Sequence, residues 1–203
     1  MPTKKPKHIT FTGIDERTDL DRCARISSMW SVEWGVLIGG RLGKNRYPSD
    51  QVIQAAIGRG LSMSLHVCGP QARTANRGVL PDHAESFSRM QVNMASRAYD
   101  TRSLTLLAQR TGKTIIAQTR GEVFPHTSQG IQFLFDRSGG RGVPSTYWPP
   151  GPKDQTVGYA GGLNPDNVAA IVASIDADKF WIDMETGVRT DDWLDLDKCD
   201  AVP

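Results

Sequence analysis

Eight short apolar or β-branched runs divide the chain at nearly even intervals, and that spacing limits the fold more than any single motif. The runs are His8–Thr12, Glu33–Ile38, Ser62–Val67, Ser88–Met94, Lys113–Thr119, Ile131–Phe135, Thr156–Ala160 and Phe180–Met184. They begin about 25 residues apart on average, which suits one strand, one crossover helix and two short loops. Helix-compatible stretches lie between several of them. Asp19–Met29, Gln51–Ile57 and Thr101–Gln109 carry apolar residues at three-to-four spacing. Asn164–Ile175 is the clearest, with Asn164 as cap and Pro165 at the first helical position. Alternating strand and helix predicts a parallel sheet. Eight such units in 203 residues predict a small closed (β/α)8 TIM barrel, an α/β fold occupying residues 1–203 as one domain. A doubly wound open sheet would use five or six strands and leave the last two runs unexplained. One unit departs from the pattern: Pro149, Pro150 and Pro152 interrupt the segment after Gly142, so the helix after the sixth strand should be missing or reduced to a turn.

Composition excludes several classes of function. Lys and Arg number 24 against 22 Asp and Glu, so a net charge of +2 offers no broad basic field for nucleic acid or a membrane surface. No apolar run approaches the roughly 18 residues of a membrane helix. The opening Met1–His8 is charged with no apolar stretch behind it, so no secretory signal is expected. Cys23, Cys68 and Cys199 form no C-x-x-C pair, which argues against a disulfide framework or a zinc site and for a reducing cytoplasm.

Three glycine-rich turns directly follow predicted strands, at the end of the barrel where such folds place their sites. They are Phe135–Gly142, Tyr159–Asn167 and Asp183–Arg189. Glycine lets backbone N–H groups approach an oxyanion closely, and a helix start adds a positive dipole end. The last two turns follow strands seven and eight, the usual phosphate position of these barrels. Gly161 and Gly162 equally serve simply to turn the chain. Strand alternation then selects the inward side chains. Asp136 shares a face with Leu134 and Gln132 and ends its strand, where a carboxylate acts as a general acid or base or caps a turn. Trp181, Asp183 and Glu185 share a face of the eighth strand. Two carboxylates at i and i+2 raise each other's pKa unless a cation pairs with them, and Arg46, Arg120, Arg137 and Arg189 are the candidates. Arg89, Gln91 and Asn93 share a face of the fourth strand, as do His66 and Cys68 of the third. His66 and Cys68 lie about 6–7 Å apart along their strand, too far for a direct hydrogen bond without help, so a packed histidine and an inert thiol compete with a nucleophile. Trp34, Trp148 and Trp181 serve either to stack on an aromatic ligand or to fill the core.

Together these residues resemble the phosphoribosylanthranilate isomerase family of tryptophan biosynthesis over nearly the whole chain. Tyr159-Ala-Gly-Gly-Leu-Asn-Pro-Asp-Asn-Val168 resembles that family's seventh-strand A-G-G-L-x-P-x-N-V. Asp183-Met-Glu-Thr-Gly-Val188 resembles its D-V-S-S-G-V, and Phe135–Gly142 with Thr146-Tyr-Trp148 resembles its D-S followed by G-G-T-G-K-T-F-D-W. Glu33–Ile38 with Arg46-Tyr-Pro-Ser49, and Thr12-Gly-Ile-Asp15, resemble its second- and first-strand motifs. The resemblance implies an Amadori rearrangement of an aminoaldose to an aminoketose, without metal or cofactor. It implies a small phosphorylated ligand as partner, for a monomer or homodimer. It places Asp136 as the general acid and Arg46 on the anthranilate carboxylate. It places Gly161, Gly162, Thr186 and Gly187 in the phosphate loops, with Gln91, Asn164, Asp183 and Glu185 in the same binding set. Thr12 stands where the family has its base cysteine, and a hydroxyl is far too weakly acidic to replace a thiolate unaided. The paired serines become Glu185 and Thr186, and a carboxylate beside a phosphate dianion is repulsive unless protonated, turned away or bridged. The fourth-strand Q-x-H becomes Gln91-Val-Asn93.

Three classes of function therefore compete. One is an isomerase with Asp136 as acid and its base among Asp15, Cys68, Asp183 and Glu185. Another is a non-catalytic protein holding a phosphosugar or nucleotide. The third is a lyase or hydrolase using Glu185 with Asp183. With Thr12 in the base position, the chain is expected to be a poor phosphoribosylanthranilate isomerase, since losing a positioned base costs about 10²–10⁴-fold. Complementation of a tryptophan auxotroph lacking that enzyme checks this: growth should be weak, and robust growth without a second mutation would mean another residue substitutes fully for the cysteine.

Overall fold

The computed structural model describes residues 5–40, 44–94, 98–126, 129–138, 142 and 145–202. The eight runs are eight strands: β1 (Ile9–Thr12), β2 (Val32–Ile38), β3 (Met63–Val67), β4 (Arg89–Val92), β5 (Thr114–Thr119), β6 (Ile131–Asp136), β7 (Val157–Ala160) and β8 (Phe180–Met184). Each pairs in parallel with the next, and β8 returns to β1 through Ile9↔Ile182 and Thr10↔Asp183. The barrel is closed, as eight βα steps in so short a chain require.

Helices cover most of the wall. Asp19, Ser49 and Asp100 accept backbone N–H bonds at the starts of α1 (Leu20–Met29), α2 (Asp50–Gly58) and α4 (Thr101–Thr111). Between them α3 (Gly69–Ala75) follows β3. The helix α5 spans Val168–Ser174, so the expected cap at Asn164 and the expected helical Pro165 are corrected: the cap is Asn167. Asn164 instead organises the turn ahead of the helix, its Oδ1 accepting from the N–H groups of Asp166 and Asn167. A short polar side chain offers the backbone this alternative to helix, and here the alternative wins.

No helix follows β6 among the described residues, as the prolines dictate. None follows β5 among them either, a departure from the strand-helix repeat that was expected only of the sixth unit. Aromatic side chains cover the wall instead. Phe124, Phe135, Trp148, Tyr159 and Phe180 meet edge-on or tilted, with ring centres 5.5–6.5 Å apart. The Tyr159 hydroxyl fixes the proline segment by donating to the Pro149 carbonyl at 2.7 Å.

Beyond β8 the chain adds a 3₁₀ turn (Thr186–Val188), a hairpin of β9 (Arg189–Thr190) and β10 (Trp193–Leu194), and α6 (Leu196–Asp200). Arg189 locks this extension onto the loop after β1, donating to Asp15 at 2.9 Å and to the Gly13 carbonyl at 2.8 Å. No helix among the described residues is long and apolar enough to cross a membrane.

Strand alternation separates two interiors. Outward residues such as Phe11, Val36, Leu65, Met90 and Phe133 build the main core against the helices. Inside the barrel, among the described residues, Ile116, Leu134, Ala160 and Trp181 form a small apolar cluster. Gly158 makes room for Trp181, because a Cβ there would lie 2.4 Å from the indole. Apart from Leu37, which lines the cleft, the interior around that cluster is polar. Near the lower end Arg89 donates to both oxygens of Glu33 at 2.7 Å, and Thr10 donates to Glu33 at 2.9 Å. Trp181 packs under the Arg89 guanidinium at 4.6 Å and stacks with His8. Burial raises Glu33, but Arg89 and His8 more than offset it and hold the carboxyl below its usual range. Glu33→Ala strands the Arg89 charge inside the barrel, which should cost about 3 kcal/mol or more. Chemical denaturation of variant and wild type at one pH checks this; a difference under about 1 kcal/mol would mean that Arg89 relaxes to water.

Candidate functional site

At the C-terminal ends of the strands the barrel opens into a cleft of about 330 Å³. The loop after β2 and the ends of β3 to β8 all contribute to its lining. Asp136, Asp183 and Ala160 lie side by side in register, Asp136 opposite Ala160 and Ala160 opposite Asp183. With adjacent strands about 4.8 Å apart, the two aspartates flank the methyl group of Ala160 across roughly 10 Å of main chain. The small residue leaves an open floor between two carboxylates.

Asp136 is 4% exposed. Ser138 donates to its carboxylate at 2.7 Å, and Arg120 Nε donates to its carbonyl at 2.9 Å. Asp183 is 8% exposed and belongs to a chain of polar groups that descends into the barrel. Thr12 Oγ1 donates to Asp183 Oδ1 at 2.6 Å, His66 Nδ1 lies 3.5 Å from Thr12, and Ser64 Oγ lies 3.0 Å from His66 Nε2. With the Thr12 proton given to Asp183, the network assigns the His66 proton to Nδ1 and leaves Nε2 to accept from Ser64. Complete burial of His66 pushes its pKa down to about 4, so it stays neutral. Burial pushes Asp183 up to about 8; the Thr12 bond opposes that rise, while the charges of Glu185 and Asp136 add to it. Gly35 is what lets Thr12 sit there, since a Cβ at residue 35 would lie 2.4 Å from Thr12 Oγ1.

The structure sorts the expected site residues. Asp136, Gln91, Arg46, Gly161, Gly162, Asp183, Glu185, Thr186 and Gly187 all line the cleft. Thr12 does not; it is wholly buried beneath Asp183. Asn164 shapes the turn after β7 rather than the cleft lining. Arg46 reaches the cleft already paired, with Nη1 2.5 Å from Glu185 and Nη2 against Asp192. Burial raises the Glu185 carboxyl, and Arg46 opposes that rise. Among the other arginine candidates, Arg189 pairs with Asp15 and Arg137 is exposed.

The remaining base candidates also separate. Asp15 is held by Arg189 and by the Leu194 N–H at 2.6 Å, outside the cleft lining. Cys68 accepts from Asn93 at 3.3 Å, and burial raises its thiol pKa. His66 and Cys68 share a face without touching as partners, so the histidine is packed rather than paired to a nucleophile. Trp34, Trp148 and Trp181 are packing residues outside the cleft lining. In the turn after β8 Gly187 packs so closely on the β7 loop that a Cβ would lie 1.9 Å from the Leu163 carbonyl oxygen. Gly139, Gly140 and Arg141 of the sixth-strand turn lie outside the described residues. Among the described residues no cluster of three His, Cys, Asp or Glu side chains could hold a metal ion.

No family model and no curated protein sequence matches the chain. Solved structures do match it. One is a phosphoribosyl anthranilate isomerase in complex with reduced 1-(o-carboxyphenylamino)-1-deoxyribulose 5-phosphate, at 15% identity and a TM-score of 0.62, covering 98% of this chain and 96% of that one. A second is the phosphoribosyl anthranilate isomerase of Thermotoga maritima, at 14% identity and TM-score 0.61, covering 98% and 97%. A mutant tryptophan synthase α-subunit from Pyrococcus furiosus matches at 12% identity and TM-score 0.52, covering 89% and 88%. At such identities the likeness is one of fold, and it spans nearly the whole barrel.

Asp183 also sets a pH dependence of stability. Its carboxyl titrates near 3.8 when unfolded and at about 8 when folded. The folded protein therefore keeps a proton that the unfolded chain releases, and stability falls as pH rises through that window. Asp183→Asn removes the effect, so its stability relative to wild type should improve steadily from about pH 4 to about pH 8 and level off above. Urea unfolding across that range checks this, and a pH-independent difference would refute the raised pKa.

Proposed function

We propose that the chain is an isomerase that binds a phosphorylated aminosugar in the cleft and converts its aldose form to the ketose. The observation that carries this reading is the pair of inward carboxylates, Asp136 and Asp183, flanking Ala160 beside the β7 and β8 glycine turns. The backbone N–H groups of those turns receive the phosphate. Asp136 donates a proton to the ring oxygen and opens the sugar to an iminium, the amine nitrogen keeping its hydrogen. Asp183, as carboxylate, takes the proton from the carbon beside the iminium, and the resulting neutral enolamine tautomerises to the ketone without net proton change. A base with a pKa near the working pH suits this step. Thr12 then serves as a positioning residue: its hydroxyl orients Asp183, where the resemblance expected a base at residue 12 itself. The fold likeness to phosphoribosyl anthranilate isomerases supports the scaffold for this chemistry. The same reading takes residues 1–203 as one cytoplasmic barrel, a monomer or homodimer.

Asp136→Asn and Asp183→Asn should each lower turnover about 10²-fold or more while the protein stays folded. Wild-type turnover should climb with pH toward about 8, as Asp183 loses its proton. The test is a steady-state assay on a panel of N-(5-phosphoribosyl) arylamines, followed by ketose formation. Tight binding without turnover by wild type would favour the binding protein instead. Release of a free amine would favour the lyase or hydrolase, for which Glu185, committed to Arg46, is poorly placed.

A further inference from the structure

Arg46 projects from the loop after β2 into the cleft wall and finds two carboxylates waiting. Glu185 Oε1 lies 2.5 Å from Nη1, Asp192 bonds Nη2, and Nε is buried with no partner. Neither carboxylate is there by chance of a flexible surface. Glu185 is fixed at the end of β8, with its side chain 25% exposed against 19% for Arg46. Asp192 occupies a left-handed position, φ 62°, in the β9–β10 turn. Its carbonyl accepts from Arg189 Nε at 3.1 Å and Nη2 at 2.7 Å, which ties the turn to the barrel.

Charge counting shows what this arrangement does. One guanidinium stands between two carboxylates, a local excess of one negative charge. Arg189, the next cation, is itself committed to buried Asp15. A ligand bearing a carboxylate toward Arg46 must displace Glu185. Lys44 and Arg120 also line the cleft but neither pairs with Glu185, so the displaced carboxylate would leave its ion-pair partner while still in a partly desolvated wall, and a charge stranded in this way is strongly penalised. A neutral or cationic group meets no such penalty.

We propose that Glu185 is a built-in counter-anion for Arg46, so that the cleft takes phosphorylated ligands whose far end is neutral or cationic and rejects those carrying a second anion there. The inference rests on the phosphorylated-ligand reading above and narrows it to a ligand class. It also accounts for a glutamate next to phosphate-binding turns: the carboxylate is bridged to Arg46.

The test is calorimetric titration with three probes: ribose 5-phosphate, 1-(phenylamino)-1-deoxyribulose 5-phosphate, and its o-carboxyphenyl counterpart. Wild type should bind the phenyl compound at least about tenfold more tightly than the carboxyphenyl one. Glu185→Gln keeps the shape and leaves Asp192 as the carboxylate partner of Arg46, so a ligand carboxylate no longer has to displace a charged competitor at Nη1. It should raise carboxyphenyl affinity about tenfold or more, and change affinity for the other two by less than about threefold. Asp192→Asn, which tolerates the same left-handed backbone, should move affinity in the same direction by a smaller factor. Circular dichroism confirms that each variant is folded. Equal or tighter wild-type binding of the carboxyphenyl compound, or no gain in Glu185→Gln, overturns the counter-anion role while leaving the phosphate reading intact. Failure of all three probes to bind wild type overturns the phosphate reading and this inference together.

Discussion

The hydrogen bond from Thr12 to Asp183 spans the seam where the first strand meets the last, and the charge state of the deepest carboxyl in the cleft hangs on it. A carboxylate set this deep is pushed toward its neutral form by the loss of water. A single hydroxyl, aimed by the His66 and Ser64 side chains behind it, keeps the charged form within reach. The geometry in turn needs Gly35, whose missing side chain is the space that Thr12 fills. Four residues on three strands therefore tune one carboxyl, and none of the four lines the cleft.

The interior below is filled in the same manner. Where many barrels stack branched apolar side chains, this one places Glu33, Arg89 and His8 in a polar plug that rests on the face of Trp181. Such a plug is less forgiving than an apolar one, because each member is needed to neutralise or hydrogen-bond another. The C-terminal hairpin extends the same logic to the cleft mouth, where Asp192 and Arg189 set the electrostatics around Arg46.

Much of this was legible in the sequence because it is periodic or local. The eight strands announce themselves as β-branched runs, and alternation within them turns Asp136, Asp183 and Glu185 inward. What escaped is long-range or sits below the length of any pattern. The Arg46–Glu185 and Arg46–Asp192 pairs join residues 139 and 146 positions apart, and no spacing encodes them. Two-residue strands such as β9 and β10 carry no alternation to read. The missing helix after β5 did leave a trace: the fifth and sixth runs begin only about 18 residues apart, short of the full strand-helix unit. Asn164 misled because a good cap and a good turn former are the same side chain.

The segment that stands in for a helix after β6 is held in place by different thermodynamics. A helix there would gain its order from intrachain hydrogen bonds. Pro149, Pro150 and Pro152 instead narrow the conformations open to the unfolded chain, so less freedom is lost when Trp148 and Pro149 settle against Tyr159. Upstream of that anchor Gly142 packs against Thr186 at the cleft, closely enough that a Cβ would lie 2.9 Å from its side chain. Gly142, at one rim of the cleft, is thus joined by a short length of chain to an anchor that stands on the outside of the barrel.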